Sequence, residues 1–349
     1  MIKTQNTMKA AVWYGVGAEN FRIESVDCPK PTASEVLIKV TKCYFSAMHA
    51  RAILVGHAKH TPPLIFGRML AGEVATVGSK VTGIRAGMRV TANPEKPCGN
   101  CFYCLRKEAG HCLNPIKLQS GGMAEYVLIP ADLVDGIYEL SPTVPDAFAA
   151  FAETLACVLQ GIELAQISIS DSIVILGDGG VGLSFVQLAK LQGAKKIIIA
   201  GKHEDSLEQA KILGATNTVN ITKESLEKTV MEETQGYGAD VVFEAVGSEK
   251  TYQDAISLLR CGGSAIGFGG TSVGTQFKIE PNLIHYRSLK IYGSYRYFPH
   301  HFRKAIELID SGLFKMEPIV THFIPFSKLT TDAVNIHQQP NCRALVIDF

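Results

Sequence analysis

The chain has almost no net charge. Its 349 residues carry 34 Lys plus Arg against 33 Asp plus Glu, so no excess of either sign draws in nucleic acid or an anionic membrane. No apolar run approaches the roughly 20 residues needed to span a bilayer. The opening stretch MIKTQNTMKAAVW lacks the apolar core and small-residue cleavage site of a secretory leader. Repeats and low-complexity segments are absent too. These absences argue against nucleic acid and membrane as partners, and the expected location is the cytoplasm. What is present, 46% apolar and 19% charged residues, describes a globular protein long enough for two domains with a core each.

Cysteine is not scarce, but it is unevenly placed. Of nine, four fall in CGNCFYCLRKEAGHC, residues 98–112. The bunching suggests thiols in a reducing compartment rather than a disulfide framework. Cys98, Cys101, Cys104 and Cys112 follow metal-ligand spacing, and four thiolates around Zn²⁺ leave no position for water or substrate. The surrounding loop is polar and rich in Gly and Pro, too poor in apolar residues to fold by packing, so the metal supplies that folding energy. One structural zinc per chain is expected. His111 adjoins the fourth cysteine and is left out, because adjacent residues rarely both reach one ion. Cys261 and Cys342 read as packing residues.

The first 130 or so residues read mostly as short strands, among them KAAVWY, EVLIKVTKC and AGEVATVG, bounded by Gly and Pro. From about Asp146 the texture changes. DAFAAFAETLACVLQGIELA has helical apolar spacing, and buried strands then alternate with amphipathic helices through SIVILG, KKIIIAG, ADVVFEAVG and LKIYGSY. That alternation predicts a parallel sheet covered on both faces.

Inside this second region stands GDGGVG, residues 177–182. Gly177, Gly179 and Gly182 fit G-x-G-x-x-G, with Gly180 and Val181 between them. The motif follows a strand and opens a helix, the context in which such glycines let backbone N–H groups approach a pyrophosphate. An NAD site usually has Asp or Glu at the end of the next strand, bonding the ribose. Here the strand ends in Gly201, Lys202 and His203. A 2′-phosphate would meet no carboxylate at 201 and two basic side chains beside it, which favours NADP(H) over NAD(H). The competing reading leaves Lys202 solvated and takes the acid from Glu204 or Asp205.

The order of these features resembles the medium-chain dehydrogenase/reductase family, in particular its zinc-containing alcohol and polyol dehydrogenases. The match runs from the four-cysteine lobe through GGMAEYVLIPADL (121–133), AETLACVLQGIE (152–163) and the Rossmann half to FRKAIELIDSGL, and covers essentially the whole chain. It implies an α/β protein. A GroES-like β-rich catalytic domain would comprise residues 1–150 and 296–349, with the zinc lobe at about 94–115. A Rossmann doubly wound parallel sheet would occupy residues 151–295, with the active site in the cleft. It also implies a small-molecule substrate and a homodimer or homotetramer.

In that family a second zinc does the chemistry, held first by a C-G/H-T/S-D-x-H stretch and next by G-H-E. Aligning these with FSAMHA (45–50) and GRM (67–69) puts Phe45 at the cysteine, Ala47 at the relay hydroxyl and Ala50 at the relay histidine. Arg68 falls at the ligand histidine and Met69 at the glutamate after it. Only the glutamate of the A-E-P-L stretch survives, as Glu153. Phe45 and Ala47 can neither bind a metal nor pass a proton, and Arg68 would repel a dication. Zinc is what makes an alcohol proton removable near neutrality.

Three readings of the reacting site follow. In the first, hydride passes without catalytic metal to a small carbonyl or conjugated substrate, with Arg68 as a fixed cation and Glu153 beside it. The plainer reading of Arg68 is a salt bridge, with Glu153 a possible partner. In the second, a relocated zinc uses Cys43, Glu153 and one of His49, His57 and His60, and polyol, cyclitol or alcohol oxidation survives. In the third, the site is inactive and the protein only binds nucleotide. His285, Tyr286, Arg287, Tyr295 and Tyr297 flank the last Rossmann strand and read chiefly as aromatic packing.

Overall fold

A computed structural model describes residues 6–57 and 60–349. The first five residues, part of the stretch read for a leader, and residues 58 and 59 lie outside the described residues. The chain divides into two compact units, residues 1–154 with 298–349, and residues 155–297. Among the described residues no helix is long and apolar enough to cross a membrane.

The first unit is built around the strand Val36–Phe45, whose burial pattern is nearly continuous. One side of it pairs antiparallel with Leu70–Val77. The other side is shared, with Val36–Lys39 pairing to Tyr126–Ile129 and Lys42–Phe45 to Leu345–Asp348. The C-terminal segment therefore completes the sheet begun near the N-terminus. Register shifts at Leu37/Ile38 and Val40/Lys42 are bulges of the kind that coil a sheet. Phe45, Ile38, Leu70, Met123 and Ile129 are fully buried in the resulting core. Burying each such side chain stabilises the fold by about 1.5–3 kcal/mol relative to leaving it exposed.

The second unit is a six-stranded sheet, every pair parallel, in the order Asn217–Asn220, Lys196–Gly201, Ser172–Leu176, Ala239–Glu244, Leu259–Gly267, Lys290–Gly293. The chain starts in the middle and winds outward both ways, the doubly wound Rossmann arrangement. Its strand order reverses between Ser172–Leu176 and Ala239–Glu244, where such sheets open a ligand crevice beyond the strand ends. Ile173, Val174 and Ile175 are all fully buried, as expected of a strand covered on both faces. Phe185, from the helix Gly180–Leu191, stacks on Phe243 with centroids 4.2 Å apart.

Two expectations about side chains are corrected. Cys261 is exposed rather than packed. The register of Leu259–Gly267 against Ala239–Glu244 shifts between Ala239 and Val241, so residues 260–263 bulge outward, and Gly262 turns at φ 76°. Of the aromatic residues flanking the last strand, Tyr297 is buried, but Tyr286 is 77% exposed and Tyr295 43%. Tyr286 meets the His285 ring edge-on at 4.8 Å, and Arg296 lies over the Tyr295 ring.

Candidate functional site

The cysteine lobe comes together from local sequence alone. Cys101 precedes the short helix Phe102–Leu105, Cys104 lies within it, and Cys112 ends the next turn. The Sγ atoms of Cys101 and Cys104 are 3.5 Å apart, Cys112 and Cys98 3.4 Å, Cys98 and Cys104 3.9 Å, and Cys101 and Cys112 3.9 Å. A tetrahedral Zn²⁺ with bonds of about 2.3 Å requires sulfurs about 3.8 Å apart, so the four fit the ion. Backbone N–H groups of Leu113 and Cys104 draw the Cys101 thiol down to about 6, and the Cys98 N–H donates to Cys112 Sγ at 3.2 Å. N–H groups aimed at sulfur stabilise thiolates, the form that binds zinc.

Arg68 follows Gly67, where φ is 108° and a Cβ would lie 2.5 Å from the Met123 backbone nitrogen and 2.8 Å from Cys43 Sγ. Only glycine lets this turn pass so close beneath the Gly122–Met123 backbone. Arg68 Nη2 lies 2.8 Å from Glu95 Oε2 and 3.8 Å from Glu153 Oε1. Glu95 is held on the two-residue strand Glu95–Lys96, and Glu153 in the first turn of the helix Ala152–Ala165, where a negative charge is favoured. Arg68 and Glu153, singled out from sequence, are thus brought together, and the salt-bridge reading of Arg68 describes the geometry. Glu95, the closer partner, was not anticipated. Its only signal was a lone acid between a strand and the cysteine lobe.

The ligands considered for a relocated zinc do not assemble. Cys43 is fully buried in the apolar core, and burial pushes its thiol far up, away from the thiolate a metal needs. Among the described residues, no three ligand atoms from Cys43, His49, His57, His60 and Glu153 gather around one point.

His49 does something else. It lies in the first turn of the helix Ala47–Val55, fully buried, and its Nδ1 accepts the Ser46 N–H at 3.0 Å, with Ser46 Oγ at 3.2 Å. Burial first, and then neighbouring His60, lower it to about 3. The ring is neutral, and with Nδ1 accepting, its proton sits on Nε2. No protein group among the described residues hydrogen-bonds Nε2. A hydroxyl and a histidine three residues apart are what T/S-D-x-H prescribes, so Ser46 and His49 meet that spacing one register earlier than Ala47 and Ala50. Tyr44 then stands at the cysteine position. His49, His60, Phe66, Arg68 and Lys117 help line a cavity of about 190 Å³, below the roughly 300–1,000 Å³ of drug-sized ligand sites.

In the second unit the turn 177–182 has the geometry its glycines suggest. Gly177 turns at φ 115°, and a Cβ on Gly182 would lie 1.8 Å from the Gly177 carbonyl oxygen. The helix Gly180–Leu191 starts there with Gly179 as N-cap and no side chain closing its first N–H groups, an arrangement suited to a pyrophosphate. Gly201 ends its strand, Lys202 is exposed, and His203 caps the helix Glu204–Leu213. Glu204, offered as a substitute ribose acid, is engaged by Asn220 Nδ2 at 2.7 Å and Lys223 Nζ at 2.6 Å. An unanticipated acid lies under this corner. Asp178, 7% exposed, takes the space a side chain at 201 would need, since a Cβ on Gly201 would lie 2.1 Å from its carboxyl carbon. The signal was an Asp inside the glycine turn.

Comparison with known proteins agrees with this architecture. Residues 32–138 match the alcohol dehydrogenase GroES-like domain, and residues 180–311 the zinc-binding dehydrogenase domain. The chain is 31% identical over 340 residues to erythritol/L-threitol dehydrogenase of Mycolicibacterium smegmatis, covering 92% of each. It is 32% identical over 317 residues to L-threonine 3-dehydrogenase of Pyrococcus horikoshii, covering 88% of each. Among solved structures, a zinc-binding dehydrogenase of Sinorhizobium meliloti bound to NADP superimposes with a TM-score of 0.91 at 30% identity, over 99% of this chain and 100% of that one. An Escherichia coli oxidoreductase of unknown specificity gives 0.88 at 28% identity, over 98% and 99%. The chain belongs to the medium-chain dehydrogenase/reductase family, and is an enzyme of its zinc-binding dehydrogenase type.

Proposed function

We propose that this dehydrogenase is NADP(H)-dependent and works without a catalytic metal, passing hydride to a small carbonyl or conjugated substrate. The observation that carries the reading is Arg68, whose guanidinium lies against Glu95 and Glu153 at the position the family resemblance assigns to a metal ligand. A permanent cation there already balances carboxylates that would otherwise attract an ion. One zinc per chain remains, in the cysteine lobe, where its role is to hold a loop.

Bound NADPH supplies the hydride. The chain's own groups do the rest. Backbone N–H groups from Gly179 onward hold the pyrophosphate; Gly179, with open space around its Cα, allows it to approach, while Gly177 makes the turn and Gly182 lets the helix pack close. Lys202 and His203 face the 2′-phosphate in place of an acid. Arg68 holds positive charge beside the oxygen that becomes negative as hydride arrives, although two carboxylates share that charge and weaken its pull. The neutral His49 Nε2–H, on the wall of the same cavity, donates a hydrogen bond to that oxygen. Nine free cysteines suit a reducing compartment, the cytoplasm under this reading. Its partners are the small-molecule substrate and further copies of the chain, as a homodimer or homotetramer.

The test is a panel of small aldehydes, ketones and enones assayed with NADPH and NADH. The expected result is turnover of at least one substrate with a lower KM for NADPH. A tenfold or greater preference for NADH would reverse the cofactor choice, and NADPH binding with no reduction across the panel would favour an inactive nucleotide-binding role.

A further inference from the structure

Asp178 departs from the economy of the glycine turn. A charged side chain almost wholly buried must be matched by donors, and this one is. Oδ2 accepts the N–H groups of Lys202 at 2.8 Å and His203 at 2.7 Å, while Oδ1 lies 3.1 Å from His203 Nδ1. The side chain of Asp178 is 9% exposed and that of His203 37%, so the acid lies beneath and the imidazole faces outward.

We infer that Asp178 is the positioning residue of the 2′-phosphate site, holding His203 so that its second ring nitrogen is presented to the phosphate beside Lys202. The inference rests on the NADP(H) reading above. A ring nitrogen bonded to a carboxylate carries its proton, so Nδ1–H donates to Asp178 and the orientation of Nε2 is settled. The same carboxylate already occupies the backbone N–H groups of residues 202 and 203. The phosphate is therefore read by the side chains of residues 202 and 203, not by their backbone N–H groups.

Gly201 is part of the device. Any side chain there would collide with the Asp178 carboxyl, at 2.1–2.3 Å from a Cβ. The acid absent from the strand end and the acid present in the glycine turn are one arrangement. A carboxylate that would stand at the ribose has been replaced by one that stands under a histidine.

The test uses the whole protein and two probes, 2′,5′-ADP and 5′-AMP, titrated calorimetrically. If the native protein shows no preference for 2′,5′-ADP, the NADP(H) reading itself fails. Given that preference, Asp178→Ala is expected to lower it about tenfold, or about 1.4 kcal/mol, with the affinity for 5′-AMP unchanged. His203→Ala should lower it as much, and the double variant no further, since neighbours acting through one contact are not additive. Should the alanine variant not fold, Asp178→Ser keeps a small acceptor near the backbone N–H groups but is too short to span to the ring, and the same loss is expected. A preference kept or raised, as simple charge repulsion would give, overturns the inference. So does an equal loss for both probes, or a loss that adds fully to that of His203→Ala.

Discussion

At Arg68 a single guanidinium lies against two carboxylates, those of Glu95 and Glu153. Glu95 and Glu153 have side-chain exposures of 10% and 17%, and neither is solvated well enough to tolerate an unscreened like charge. Arg68→Leu is therefore expected to act twice. It should destabilise the first unit by about 1–3 kcal/mol, because a partly buried charge loses its partner. It should also lower kcat/KM about 10- to 100-fold, less than the loss of a dedicated oxyanion donor because the guanidinium is shared. A thermal melt and steady-state kinetics separate the two effects, and an unchanged kcat/KM would remove Arg68 from catalysis. His49 carries the other residue-scale prediction. Burial lowers His49 to about 3 and His60 to about 4, whereas the unfolded chain titrates near 6.5. Below that pH the unfolded state binds more protons, so this stability is complete above about pH 6.5 and is lost as the pH falls toward 3–4. Urea melts from pH 7.5 to 4.5 should show falling midpoints. His49→Gln, which keeps an acceptor for the Ser46 N–H in capping-box fashion, should flatten the fall, and a slope the same as that of the native protein would contradict it.

At the scale of elements, the glycine turn and the cysteine lobe were legible in the sequence because their parts are local. Gly177 to Gly182 lie in one turn, and Cys98 to Cys112 in one loop. The turn makes a direct prediction. Gly182→Ala puts a Cβ where only 1.8 Å separates it from the Gly177 carbonyl oxygen, so the helix Gly180–Leu191 must move off the strand. Nucleotide affinity should fall more than tenfold with a stability loss of about 1–3 kcal/mol, read by nucleotide titration and a melt. Native affinity would show that the close approach is not needed. Contacts between distant stretches were not legible. Asp178 meets His203 across 25 residues, and Arg68 meets Glu95 only because a short strand beside the cysteine lobe turns that acid inward. Ser46 and His49 were a different case. Their spacing was in plain view, one register earlier than the alignment on FSAMHA that TPPLIFG and AGEV fixed. The outward bulge at Cys261 depends on a register shift between two strands, which neither strand encodes alone.

Over the whole molecule, the alternation of strand and helix after residue 146 was enough to anticipate a parallel sheet. The mostly β reading of the first part anticipated its strands but not their pairing, in which Leu345–Asp348 returns to pair antiparallel with Lys42–Phe45. What the fold holds in common with its relatives is the two-unit scaffold. The proposal turns on Arg68, whose guanidinium lies against Glu95 and Glu153. The measurement that bears most directly on this is the zinc content of the purified protein and of Cys101→Ser, by elemental analysis. The account predicts one zinc per chain in the native protein and none in the variant, whose residual turnover is kinetically normal although its fold is weaker. Two zincs per chain, or one retained by Cys101→Ser, would contradict it.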